Sequence, residues 1–374
     1  MKILHIATLI TPDGAYGGPV RVATNLVKEI HSSGHDAEFI AAGSGFDDGF
    51  PTVFDGVSVT LFNAHRTIPG IGFAGISAPR MIKWLHENAR RFDVVHIHAA
   101  RDLVTLPAGI VVALRGVPFV LQTHGMIDPS PRLSANVLDR LATKRLLRRA
   151  GAVFYLTETE RAGLLEVGAK HESLEFLPNG VPDNGPGISA DSPSLRVLYL
   201  ARLQARKRPE LFVEMAAALH AKYPQHVFEL VGPDEGAGAA VESAIARHNA
   251  GAYVKWLGPI SPEQTLSVMR GKDLFVLPSI NEPFPMAVLE AMSVGCPVVV
   301  SSSCGLAPYV EQYGAGEVFD ESLDDLIQVV DGLLGDEFKR STMAKAATIA
   351  VSQRFNMGSV VAQLNRTYEK VGSA

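Results

Sequence analysis

Two glutamates with seven residues between them open the chemistry of this chain: Glu282-Pro-Phe-Pro-Met-Ala-Val-Leu-Glu290. The preceding segment from Asp273 to Ser279 reads as a short buried strand broken by Pro278 and Ser279. The residues after Phe284 read as a helix that Gly295 stops. Glu282 then lies in the loop, and Glu290 sits two turns deeper, ~12 Å away at 1.5 Å per residue. That spacing is too wide for two carboxyls sharing a proton. It suits an extended ligand with two diol groups, such as a nucleotide sugar. Met286, Val288, Leu289, Ala291 and Met292 surround Glu290, and a carboxylate among them needs a partner.

A second constellation is Arg202-Leu-Gln-Ala-Arg-Lys-Arg-Pro209. It follows a strand-like run and opens a helix with Pro209 in its first turn, where Leu211, Phe212, Met215, Ala216 and Leu219 form the apolar face. Basic side chains at a strand-to-helix junction suit a diphosphate. Arg202 and Lys207 are expected to reach the ligand, and Arg206 and Arg208 to be free to face solvent. Tyr16-Gly17-Gly18-Pro19 follows the first strand, where paired glycines let a ligand approach the backbone or simply make a tight turn. Gln122-Thr-His-Gly-Met-Ile-Asp128 ends another strand and could project His124 and Asp128 toward a ligand. His96 and His98 alternate on the preceding strand, with Arg101 and Asp102 beyond. Without an acidic partner at fixed spacing they make no metal motif. His96 is expected in the core, and His98 stays open.

These residues need elements to hold them. Strand-like runs alternate with amphipathic helices, at 3–7, 37–41, 57–61, 94–98, 119–122 and 152–156. A second series follows at 197–201, 227–231, 253–256, 274–277 and 297–301. Short apolar strands separated by helices predict parallel sheets covered on both faces. The turn-rich segment 178–187 is the expected linker. The expected domains are 1–183 and 184–355, with a helix over 356–374 returning to the first. The fold class is α/β, with two Rossmann-like domains facing each other across a ligand cleft.

The 374 residues suffice for two domains, and 47% apolar with 20% charged residues is a globular balance. A net charge of -5 gives no case for nucleic acid as a partner. Cys296 and Cys304 are too few for a disulfide framework, which suits a reducing compartment. The start of the chain lacks a signal-peptide core, and the apolar run 103–114 is too short to cross a bilayer. A cytoplasmic protein is expected. Arg132, Arg140, Lys144, Arg145, Arg148 and Arg149 cluster against one acid, Asp139, with Leu138, Leu141 and Leu146 interleaved. This is either a solvated helix face or a surface for anionic lipid at the inner face of a membrane.

Taken together, Gly17-Gly18, Thr123-His-Gly125, Leu177-Pro-Asn-Gly180, Ala201-Arg-Leu203 with Lys207, Val231-Gly-Pro233, Leu257-Gly258, Pro278-Ser279 and Glu282 to Glu290 resemble the family 4 glycosyltransferases. These are retaining enzymes of the two-domain GT-B architecture. The resemblance implies a hexosyltransferase moving a sugar from a nucleoside-diphosphate donor to a saccharide, lipid-linked or small-molecule acceptor, with no cofactor and no metal. It implies that Gly17 and Gly18 offer backbone contacts to the donor diphosphate and that Arg202 and Lys207 bind it. Gly232, Phe284, Met286 and Ala287 would line the donor. Glu282 would hold the sugar hydroxyls, Glu290 the ribose, and His124 the transferred sugar. Arg101 and Asp128 would lie toward the acceptor. Pro285 stands where many members have glycine, which removes one amide and implies an altered sugar choice. A nucleotide-sugar epimerase of the same architecture and a non-catalytic nucleotide-sugar-binding subunit remain alternatives. A dehydrogenase is disfavoured, because no complete G-x-G-x-x-G follows the first strand.

Overall fold

The computed structural model describes residues 1–12, 17–182, 184–185, 194–261 and 264–373. Tyr16 and parts of the expected linker (183, 186 and 187) lie outside them. The chain forms two compact units: Met1–Gly180 with Met357–Ala374, and Val181–Asn356.

The first unit is built on strands β1 (Lys2–Ile10), β2 (Asp36–Gly43), β3 (Val53–Phe54), β4 (Val57–Asn63), β5 (His65–Arg66), β6 (Ile76–Ser77), β7 (Val94–His98), β8 (Phe119–Gln122), β9 (Ala152–Tyr155) and β10 (Leu174–Phe176). Its main sheet runs β10-β9-β8-β7-β1-β2-β4-β3, parallel except where β3 meets β4. Every residue of β7 and β8 is buried, because helices cover both faces and leave no solvent side for polar alternation. β4 instead alternates buried and exposed near the sheet edge. Strand order reverses between β1 and β7, so the loops at their C-terminal ends diverge to opposite faces and open a crevice.

The second unit holds β11 (Arg196–Leu200), β12 (Val227–Val231), β13 (Val254–Trp256), β14 (Leu274–Leu277), β15 (Val298–Ser301) and β16 (Gly316–Phe319). They form one parallel sheet, β13-β12-β11-β14-β15-β16, with its switch between β11 and β14. The expected strands agree with these to within one to three residues at each end. Sequence periodicity missed the edge strands β10 and β16, each only three or four residues long, along with the two-residue pairs.

The last helix, Met357–Gly372, belongs to the first unit. Val360, Val361, Leu364, Tyr368 and Val371 are its buried stripe, at the helical spacing read from the sequence. Gln363 Nε2 donates to Phe176 O at 2.6 Å and Thr367 Oγ1 to Glu175 at 2.7 Å, which ties it to β10. Leu364 is fully buried, so Leu364→Ala removes apolar burial and leaves a cavity. We expect a loss of about 2–5 kcal/mol in urea denaturation. A change under half a kcal/mol would mean that this helix is not docked.

Candidate active site

The second unit assembles its charged residues at the β11/β14 switch. β11 leads into Arg202, a single turn at Ala205–Lys207, and the helix Pro209–His220. Proline opens that helix at no cost in hydrogen bonds but bars the residue before it from right-handed helical geometry. Arg208 takes left-handed geometry at φ +52°, and its Nη1 donates to Glu321 O at 2.8 Å. It is therefore a structural residue. Arg206, expected toward solvent, instead reaches Glu282 Oε2 at 3.0 Å and donates to Asn281 O at 3.1 Å.

Lys207 Nζ lies 2.6 Å from Glu282 Oε2, with both residues only 8% exposed. The Glu282 loop is pinned from behind, since Gly305 N donates to Glu282 O and Asn281 N to Ser303 Oγ, both at 2.8 Å. Burial lowers the Lys207 pKa, and the Glu282 carboxylate pulls it back up. Arg202 Nη1 meets both Glu235 oxygens at 3.1 and 3.2 Å, and Gln204 Nε2 also donates to Glu235. Glu235 was not singled out in the sequence. It lies on the loop after β12, which Leu203 and Asp234 join to the end of β11 by a bridge.

Glu290 is buried in the helix Met286–Ser293, at 4% exposure. Met286 and Ala287 form the first turn of that helix, where backbone N–H groups have no intrahelical partner. Two expected donor residues have packing roles. Gly232 has φ +147°, and an added Cβ would stand 2.0 Å from Ala201 O. Its N–H donates to Gly258 O and its carbonyl accepts from Trp256 Nε1, so it permits close strand approach and offers no backbone contact to a ligand. Phe284 is 7% exposed, with its ring edge-on to Phe355 at 6.0 Å, so its side chain packs the core.

In the first unit the helix Gly17–Ser32 begins at the end of β1. A Cβ on Gly18 would meet nothing within 4 Å, so internal packing does not demand glycine there. Thr123, His124 and Gly125 follow β8, with His124 at φ +51°. That conformation is costly for a residue with a Cβ. Glu160 holds it: its Oε1 accepts from Thr123 Oγ1 at 2.5 Å and Gly125 N at 2.6 Å, and its Oε2 from Leu156 N at 2.7 Å. The His124 ring stacks on His98 at 5.1 Å, with Nε2 2.8 Å from His98 Nδ1.

Behind His98 lie His5 and His96, and the three could share a cation by distance. All of their nitrogens except His96 Nε2 are engaged with one another, with His124 or with Tyr368. Arg101 and Asp128 do come together, with Arg101 Nη1 at 3.3 Å from Asp128 Oδ1. Arg101 is further bound by Asp139 at 2.8 and 3.0 Å, which fixes it on the protein. Asp102 caps the helix Thr105–Leu114, accepting from Val104 N and Thr105 N at 2.8 and 2.6 Å.

The N-terminal half, residues 17–180, matches the family description "Glycosyl transferase 4-like domain", and residues 187–349 match "Glycosyl transferases group 1". The chain belongs to the family 4 type of glycosyltransferases. Among curated relatives, the D-inositol 3-phosphate glycosyltransferase of Corynebacterium aurimucosum is 25% identical over 74% of this chain and 71% of its own. That of Pseudarthrobacter chlorophenolicus is 26% identical over 69% and 66%. HepE of Anabaena, solved with UDP and glucose, superposes with a TM-score of 0.78 at 21% identity, covering 99% of both chains. Sucrose-phosphate synthase of Thermosynechococcus elongatus gives 0.79 at 20% identity over 100% and 99%. These likenesses give this glycosyltransferase the GT-B fold.

The buried imidazoles contribute a stability that weakens in acid. Burial lowers the His5 and His124 pKa values from 6.5 to about 3, and those of His96 and His98 well below 6.5. Between pH 6.5 and about 3 the unfolded chain binds protons that the folded chain does not. Stability therefore falls as pH falls through that window, by up to about 1.4 kcal/mol per pH unit per ring. Asp102 and Glu160, whose pKa values burial raises, act in the opposite sense. The readout is thus the difference between wild type and His5→Leu. Urea midpoints from pH 7.5 to 4.5 should fall less steeply in the variant; parallel curves would contradict these neutral rings.

Proposed function

We propose that this glycosyltransferase moves a hexose-type sugar, with retention, from a nucleoside-diphosphate sugar to a saccharide, lipid-linked or small-molecule acceptor. The carrying observation is the set of cations at the β11/β14 switch: Lys207 and Arg206 against Glu282, and Arg202 against Glu235. Departure of a nucleoside diphosphate builds negative charge on phosphate oxygen and positive charge on the anomeric carbon. Lys207, Arg202 and the N–H groups of Met286 and Ala287 answer the first. One such donor in a dry site contributes about 3–4 kcal/mol. On this reading the cations do the work a divalent metal would do, and no cofactor is needed. Glu282 would receive the sugar hydroxyls and Glu290 the ribose; by the family resemblance, Gly17, Gly18 and His124 would also contact the donor. The acceptor would be attacked from the face the diphosphate leaves, with that phosphate taking its proton.

HepE bound to UDP and to UDP-glucose supports uridine as the base to test first. The surface carrying Arg132 to Arg149 supports a lipid-linked acceptor. Leu133, Val137 and Leu141 recur every four residues and are 83%, 54% and 58% exposed. Asp139, the one acid among them, is buried against Arg101 and does not neutralise the exposed basic side chains. No helix among the described residues is long and apolar enough to cross a membrane. Contact would be peripheral, on the cytoplasmic face.

Melting curves with uridine, guanosine and adenosine diphosphates test the donor. The correct one raises the midpoint, increasingly so as its concentration exceeds its Kd, and no shift with any of them contradicts the assignment. Glu290→Ala should lower kcat/KM for the donor by about 10²–10³; wild-type kinetics would remove Glu290 from the site.

A further inference from the structure

Five side chains from β1, β7, the β8 loop and the last helix form one buried hydrogen-bonded line. His124 Nε2 lies 2.8 Å from His98 Nδ1, and His98 Nε2 lies 3.2 Å from His5 Nδ1. His5 Nε2 is 3.3 Å from Tyr368 Oη, which is 2.6 Å from His96 Nδ1. The rings stack, with His96 on His98 at 4.6 Å and 9°. Burial keeps all four imidazoles neutral.

A neutral imidazole carries one N–H, so it donates from one nitrogen and accepts at the other. Each link in such a line fixes the next, and the whole line has a single direction. Its far end selects that direction. His96 Nε2 and Gln122 Oε1 are both buried without a well-formed hydrogen bond. The Gln122 amide Nε2 is turned toward Asn179 Oδ1 at 3.3 Å, which leaves Oε1 as an acceptor for the His96 side. Hydrogen on His96 Nε2 gives both orphan atoms a partner, whereas hydrogen on Nδ1 leaves two buried acceptors bare. His96 therefore carries its hydrogen on Nε2, toward Gln122. Its Nδ1 accepts from Tyr368, Tyr368 from His5 Nε2, His5 Nδ1 from His98 Nε2, and His98 Nδ1 from His124 Nε2.

We propose that His98, His5, Tyr368, His96 and Gln122 are positioning residues that hold His124 in the Nε2–H tautomer, so that its Nδ1 presents a bare lone pair. His124 then accepts a hydrogen bond from a hydroxyl of the transferred sugar or its acceptor and does not donate one. This rests on the reading that His124 touches the sugar; the tautomer itself can be measured without that reading.

The test uses the full chain labelled with ¹⁵N-histidine. Two-bond proton–nitrogen correlation spectra assign the tautomer, with His124→Gln locating its signals. In wild type, His124 should show hydrogen on Nε2. In Tyr368→Phe, His5 Nε2 faces a ring that cannot accept, so His5 shifts its hydrogen to Nδ1 and the reversal passes through His98 to His124. His124 should then carry hydrogen on Nδ1, with kcat about tenfold lower and KM for the donor within twofold. Gln122→Met should reverse the line from the other end, which covers the case that Tyr368→Phe does not fold. Unchanged His124 signals in a folded variant would overturn the proposal. So would a zinc ion copurifying stoichiometrically and lost in His5→Asn, since it would replace the line with a metal site. If the tautomer reverses while His124→Gln keeps full turnover, the line stands and the sugar contact of His124 falls instead.

Discussion

The buried pairing of Lys207 with Glu282 is the constraint from which the rest of the donor site follows. An ammonium and a carboxylate this far from solvent are each costly alone and tolerable together. Their meeting requires the end of β11 and the loop after β14 to arrive side by side, which the direct pairing of those strands provides. Removing Glu282 leaves Lys207 and Arg206 without their carboxylate, and removing Lys207 leaves Glu282 with Arg206 alone. The same geometry carries a functional consequence. Cations that would grip a diphosphate are already neutralised, Lys207 and Arg206 by Glu282 and Arg202 by Glu235. A dianionic ligand must therefore exchange partners with these carboxylates, and Glu282, once displaced from the cations, is free to take hydroxyl hydrogens. Discrimination for a sugar attached to the phosphate would come from that exchange.

The first unit relies on a different constraint. Its strand-end loop keeps a non-glycine residue at positive φ, and two unrelated side chains bear that cost. Glu160 holds the Thr123 hydroxyl on one side of His124 and the Gly125 N–H on the other, and His98 holds the ring. Tyr368 comes from the opposite end of the chain to close the line behind them. The last helix is thus more than a cover for apolar surface, because the buried Tyr368 hydroxyl joins the polar interior of the sheet.

Much of this was legible in the sequence, for identifiable reasons. β7, β8, β12 and β14 are short, mostly apolar runs between helices, so their positions read directly. Pro209 and the charged run before it marked the turn after β11, and Glu282 to Glu290 marked the loop after β14. Pairings across long sequence separation were not legible. His5 and Tyr368 lie 363 residues apart, and no spacing rule joins them. Glu235 and Glu160 looked like ordinary acids on a loop and a helix, since only tertiary contact reveals what each holds. Gly232 and Phe284 carry packing roles that only tertiary contact reveals: one relieves a clash with Ala201 and the other sets its ring on Phe355.

Calorimetric titration of the preferred nucleoside diphosphate in excess chelator, into wild type and Lys207→Met, addresses the site's central claim most directly. Clasping by protein cations predicts that wild type binds as tightly with chelator as with magnesium, and that the variant binds at least tenfold more weakly. Binding that vanishes with chelator, or that survives Lys207→Met unchanged, would contradict it.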